Sequence, residues 1–214
     1  YVLGVDPARN VAEFAWKNNR VKTLVSFFDN KITNKILSSY GKAKIILAFN
    51  VFAHTPSLSS FVKNVKNLLK DDGYFVFESQ YLTDIIKKNI LGTFFHEHIS
   101  HHSVYSLAKL FDKHGLYLQH VISTNVQEGS IIGFVSKKKL KKNKSVIKFI
   151  ANEKKFKINT IQALKKFENR IKNKKKILEK LIKNYKHISA FGAARSGPTI
   201  MKNYGFEKYI NYIF

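Results

Sequence analysis

Cysteine is absent from all 214 residues. Disulfides and thiolate-held metal sites are therefore excluded within the chain, and a reducing, cytoplasmic setting is the expected one. No run of about 18 apolar residues occurs, so the sequence offers nothing to span a membrane. The pattern of a signal peptide is not seen at its start either. Acidic residues are scarce: 14 Asp and Glu stand against 38 Lys and Arg, a net charge of +24. The imbalance is local, because residues 137–186 carry 19 Lys and one Arg against three Glu, a net of +17. Such a segment could bind nucleic acid through its phosphates. Its cations are almost all Lys, however, and aromatic residues do not interleave with them. They fall on the polar face of a helical pattern, so a solvated helix face is the simpler reading and nucleic acid is not an expected partner.

The chain is long enough for one domain and part of another. With 44% hydrophobic residues, 18 Phe and 10 Tyr, it can bury a sizeable core. Tyr1–Val5 reads as a buried parallel strand closed by Asp6-Pro7. Asp6 or Asn10 then caps a helix carrying Val11, Phe14 and Ala15. Val21–Phe28 reads as a second strand, followed by a short helix around Ile32–Leu37, and Lys44–Phe49 as a third strand. Thr55 is expected to cap the next helix with Pro56 at its first position. Leu58, Phe61, Val62, Val65, Leu68 and Leu69 form its apolar stripe. Asp71-Asp72-Gly73 turns into a fourth strand, Tyr74–Phe77. Strands alternating with helices at this spacing predict a parallel α/β sheet.

Further on, Ser103 opens a helix stopped by His114-Gly115. Leu116–Val121 and Ser130–Val135 are expected to pair antiparallel at the sheet edge, an arrangement that resembles the Rossmann-like methyltransferase plan. Residues 136–155 show no clear core. A long helix is predicted from about Phe156 to Tyr185, then a strand at His187–Phe191. Gly192–Pro198 is a small-residue turn into another helix, and Tyr209–Phe214 begins one more strand.

The densest chemistry lies at Thr93–Ser103, where four of the eight histidines fall with Glu97 between His96 and His98. Groups that exchange protons near neutral pH suit general acid–base work. The bland alternative is a polar, partly solvated loop. A zinc-protease helix is excluded, since the position three residues after Glu97 is Ser100 rather than a second His. Zinc held by His96, His98 and a later His is the metal alternative, but no Cys is present to help and nothing fixes the geometry, so no metal is expected.

Several segments together resemble the sugar C-methyltransferase family, whose members use S-adenosyl-L-methionine to methylate a carbon of nucleotide-linked keto-deoxysugars. They are Gly4–Ala8 with Asn10–Ala12, Asn50–His54, Phe77-Glu78, Phe94–His98 with Ser103, Gly129-Ser130, and Phe191–Ala194 with Gly197 and Thr199. The resemblance runs through nearly the whole chain in the expected order. It implies that a His removes a proton next to a ketone, so that an enolate can attack the methyl donor. His98 is the candidate base, supported by Glu97 and His54, with His96 as the other candidate. Asp6, with Pro7, Phe28, Asn50 and Val51, is implied at the cofactor, and Phe95 and Ser130 at the substrate. The partner so implied is a nucleotide-linked sugar.

The chain also departs from the family. Phe95 stands where Tyr is common, Gln127-Glu128-Gly129-Ser130 replaces a His-Gly-Gly-Ser pattern, and Ile132 stands where Arg is common. A glycine-rich cofactor loop and a Cys-bearing zinc module are not found in these residues. The family's first strand would lie between Tyr1–Val5 and Lys44–Phe49, so the chain is read as an internal piece of a longer enzyme, inactive and weak in cofactor binding by itself. Its division is expected at residues 1–137 (partial catalytic domain), 138–186 (Lys-rich connector and long helix) and 187–214 (start of a second Rossmann-like domain). Two other readings stay open: a binding module without chemistry, and an RNA-binding methyltransferase.

Overall fold

Residues 1–140 and 143–214 are described by the computed structural model. The chain opens with β1 (Leu3–Asp6), α1 (Arg9–Asn19), β2 (Lys22–Val25), α2 (Asn30–Tyr40) and β3 (Ala43–Phe49). A 3₁₀ turn at Phe52–His54 then precedes α3 (Leu58–Leu68), β4 (Leu69–Gln80) and α4 (Leu82–Lys88). Past the histidine cluster come α5 (Val104–Lys113), β5 (Tyr117–Thr124) and β6 (Ser130–Ser136). They are followed by α6 (Lys144–Lys155), α7 (Ile161–Ile182), β7 (Ile188–Ala190), α8 (Gly197–Tyr204) and β8 (Ile210–Ile213).

β1 and β2 pair in parallel as one small sheet. A second sheet has the order β3-β4-β6-β5, parallel between β3 and β4 and antiparallel across the other pairs. The division falls between the two strand groups that the resemblance separates. The sheets pack through Ile32, Ile36 and Leu68, with Leu3, Val5 and Leu24 on one side and Ala43 and Ile46 on the other. The parallel pair β7 and β8, with α8 between them, forms a separate β-α-β unit.

The main core sits under the four-stranded sheet. Phe52, Phe61, Phe75, Phe77 and Phe111 interlock there, with ring centroids 5.1–6.2 Å apart between neighbours. Such offset and edge-on pairs add roughly 0.5–1.5 kcal/mol each beyond their buried area. Phe52 belongs to the short turn after β3, so the same packing that closes the core fixes the loop carrying Asn50 and His54.

The structure corrects several expected boundaries. Ser57, not Thr55, caps α3 by accepting from the N–H of Ser60, while the Thr55 hydroxyl donates to the Val51 carbonyl. Pro56 thus precedes the cap. Asp6 and Asn10 do not cap α1; Ala8 holds that position, and Asp6 Oδ1 accepts the Ala8 N–H at 2.8 Å, turning the chain from strand to helix. β4 starts at Leu69, and its pairing with β3 jumps from Ala43–Leu69 to Ile45–Tyr74, so Asp71-Asp72-Gly73 is an irregularity in a strand. Gly73 belongs there because a Cβ would stand 2.7 Å from the Lys44 carbonyl.

The connector also has a core after all. Val146 of α6 is buried in the main cluster, and the buried Glu153 carboxylate accepts the N–H groups of Val104 (2.7 Å) and Tyr105 (3.0 Å). A carboxylate at a helix N-terminus satisfies donors that have no partner within the helix. α6 is thereby fastened to α5. No helix among the described residues is long and apolar enough to cross a membrane.

Candidate active site

The carboxyl ends of β3 and β4, the segment after α4 and the start of α8 surround a cleft of about 720 Å³. Asn50, placed there by the end of β3, has φ 56° and lines it. The left-handed region is one that Asn tolerates better than most residues. Its N–H donates to the Glu78 carbonyl of β4, so both strand ends deliver side chains to one wall. Open α/β sheets place ligands at the carboxyl ends of their strands.

His98 is the best-fixed titratable group in this cleft. Its Nδ1 lies 2.8 Å from the Thr93 carbonyl oxygen. A carbonyl only accepts, so Nδ1 carries the proton and the neutral ring keeps its lone pair on Nε2. The Thr93 hydroxyl, 3.2 Å from the same nitrogen, donates to Gln80 Oε1 and so ties the loop to the end of β4. The Phe95 ring lies against His98 at 4.1 Å between centroids, and His54 stands edge-on at 4.9 Å. His54 is locked in the same way, its Nδ1 3.0 Å from the Glu97 carbonyl oxygen.

Burial holds the His98 pKa below the ordinary His value of 6.5. The Thr93 carbonyl works in the opposite direction, while His54 and Arg195 depress it further. The ring is therefore neutral near pH 7 with an unprotonated nitrogen. His101 and His102 are pushed down to about 4 by burial, and both are neutral packing residues.

Not every candidate falls in this cleft. The Glu97 carboxylate pairs with Arg195, from the turn before α8, and not with His98. The expected carboxylate partner of His98 is thus replaced by a backbone carbonyl. His96 is largely exposed, with Nε2 3.8 Å from Glu97 Oε1. Ser130 is buried and its hydroxyl donates to the Val126 carbonyl, which closes the preceding turn and keeps it from a ligand. Phe28 packs edge-on against Phe61 at 5.1 Å as part of the core. Asp6, Pro7 and Val51 stand outside the lining of the cleft. Asp6 lies at the carboxyl end of β1, with one oxygen engaged by Ala8. Among the described residues no cluster of three His, Cys, Asp or Glu could hold a metal ion.

The structure also adds residues that the sequence reading did not single out. Thr93 and Gln80 fix His98, and Arg195, Ser196, Ile200 and Tyr204 bring the last β-α-β unit to the cleft. Arg195 further lies 5.5 Å from the centroid of the Phe95 ring. Its position in a small-residue turn opening a helix was the available signal.

Comparison with known proteins matches the chain in two parts. Residues 1–121 match the family described as Methyltransferase domain, and residues 125–214 match the C-methyltransferase C-terminal domain. The C-methyltransferase NovU of Streptomyces niveus is 39% identical over 136 residues, covering 63% of this chain and 32% of that protein. The chain thus spans about a third of the length of this curated relative. A chain from the complex between the Haloferax volcanii Trm112 methyltransferase activator and a putative methyltransferase has the same fold, with a TM-score of 0.50 at 11% identity. That alignment covers 64% of this chain and 72% of the other.

Proposed function

The chain belongs to the methyltransferase-domain family, and we propose that it forms the proton-removing and part of the cofactor-holding machinery of a C-methyltransferase acting on a nucleotide-linked keto-deoxysugar. Residues 1–137 belong to the catalytic domain, 138–186 to the connector and long helix, and 187–214 to a second Rossmann-like domain. The cofactor is S-adenosyl-L-methionine. Asp6 and Asn50 suit it chemically: a carboxylate oxygen of Asp6 beyond the one bound by Ala8 can accept a ribose hydroxyl, and Asn50 offers an amide in the cleft. When bound, the cofactor supplies an electrophilic methyl group.

The residues of the chain perform the other half of the reaction. A carbon next to a ketone must lose a proton before it can attack, and His98 Nε2 takes that proton. The observation that carries this reading is the bond from His98 Nδ1 to the Thr93 carbonyl, which leaves Nε2 as the basic atom of a neutral ring in the cleft. As Nε2 becomes protonated, the same carbonyl stabilises the positive charge at Nδ1. His54, also with its lone pair on Nε2, can accept a sugar hydroxyl, and Phe95 gives the sugar an apolar surface.

In the full-length gene product, His98→Asn should lower turnover by roughly 10²–10⁴-fold, the usual contribution of a general base. Affinity for S-adenosyl-L-homocysteine, read by calorimetry, should stay within about twofold, because only a transition-state interaction is removed. Full turnover in this variant would overturn the assignment.

A further inference from the structure

Glu78 is the only residue lining the cleft that carries a buried side-chain atom without a hydrogen-bond partner among the described residues. It sits near the carboxyl end of β4, 7% exposed, and Oε1 is the atom sealed from solvent. The ladder does not provide a donor for the carboxylate. Directly across from Glu78 is Ile132 of β6, and across from Ile132 is Ile122 of β5. Directly opposed residues project to the same face of a sheet, so the carboxylate stands beside aliphatic side chains. Its backbone carbonyl is satisfied by Asn50, but that bond does nothing for the side chain.

Buried polar groups are almost always paired, and a carboxylate left without donors destabilises the fold that holds it. Two neighbouring groups of the same wall are chemically committed. Gln80 accepts from Thr93, and His98 Nδ1 is bound to the Thr93 carbonyl. Among the described residues lining the cleft, Glu78 alone presents a buried acceptor with no partner. We infer that the Glu78 carboxylate is a ligand-binding group, accepting a hydrogen bond from a hydroxyl or ammonium donor of a molecule bound in the cleft beside His98. The donor belongs either to the methyl-group carrier or to the methyl acceptor. This assignment rests on the methyltransferase reading of the cleft. It goes beyond that reading in naming a specificity residue and the chemistry that it selects.

The test uses the full-length gene product and two variants, Glu78→Gln and Ile132→Arg. The first removes the charge at nearly constant volume; the second supplies a guanidinium across the ladder that occupies the carboxylate from within the protein. Both should raise the Tm of the ligand-free protein by roughly 2–4 °C, the shift expected for about 1 kcal/mol in a domain of this size. S-adenosyl-L-homocysteine is the first probe, by calorimetry, and a nucleotide-linked keto-deoxysugar the second, by KM. A tenfold or greater loss of affinity for the first assigns the donor to the carrier. An unchanged first affinity with a tenfold rise in KM assigns it to the acceptor. Either result supports the inference. Unchanged values for both probes, or a lower Tm for Glu78→Gln, would overturn it and make Glu78 a structural residue. If the wild-type enzyme methylates no such sugar, the proposed substrate class fails separately. S-adenosyl-L-homocysteine binding and the Tm then decide for Glu78: tenfold weaker binding without a lower Tm, or a higher Tm, supports the inference, and a lower Tm or no change in either overturns it.

Discussion

Phe52 and Phe14 both belong to segments that follow a strand end, yet their surroundings are opposite. Phe52 is 0% exposed and touches four other phenylalanines and His102, whereas Phe14 is 64% exposed on α1. The contrast holds for the regions around them. Around β3, β4, β6 and β5 the core is continuous, and α3, α5 and α6 each contribute buried residues. Around β1 and β2, α1 buries only Ala12, and Trp16, Val25 and Phe27 are exposed. The candidate base therefore stands on the well-packed region, and Asp6 on the loosely packed one. A general base needs fixed geometry, and for the candidate His98 the packing of this chain itself supplies it.

The largest expected effect is a direct test of that contrast in the 214-residue chain. Phe52→Ala should destabilise by roughly 3–5 kcal/mol in denaturant unfolding, the usual range for a buried aromatic. Phe14→Ala should stay within about 0.5 kcal/mol, as exposed substitutions do. Equal losses at the two positions would erase the distinction.

Acid should sharpen the contrast by a smaller amount. His101 and His102 titrate at about 4 in the folded chain, below the ordinary 6.5, because burial disfavours their charged forms. The unfolded chain then binds their protons first. Stability from this source is complete above pH 6.5 and falls as the pH drops from 6.5 towards 4, by roughly 1 kcal/mol per pH unit for each ring. Urea unfolding at pH 7 and pH 5 reads this slope. Since His102 packs against Phe52, loss of the slope in the Phe52→Ala variant would tie the histidines to the same packing unit. A stability that rises on acidification would contradict their burial as neutral rings.

Much of the fold could be read from periodicity. The stripe Leu58, Phe61, Val62, Val65 and Leu68 identified α3 because a helix repeats its buried face every 3.6 residues. Its cap was misplaced because Thr55 and Ser57 flank Pro56, and sequence pattern alone does not decide which hydroxyl meets a free N–H. α6 was hidden by composition. Its lysines obscured Val146, Phe149 and Ile150, and the role of Glu153 depends on α5, far away in sequence.

The site was legible in its residue types and not in its wiring. His54, Phe95 and His98 do come together, and Asn50 shares their cleft. The partner of His98 is a main-chain carbonyl, which leaves no signature in residue identity, and so Glu97 was the natural candidate for that role. Arg195 reaches Glu97 across nearly a hundred residues, a contact that local patterns do not encode. Glu78 was visible in a matching segment, but its lack of a partner is a property of the folded ladder.

The central claim is that His98 is a neutral base whose lone pair lies on Nε2. The most direct measurement is ¹⁵N NMR of the histidine rings in the full-length protein, with the His98 signals assigned by their loss in His98→Asn. The account predicts a protonated Nδ1 and a pyridine-type Nε2 at pH 7, titrating below the ordinary histidine value. A protonated Nε2, or a His98 that is cationic at pH 7, would contradict it.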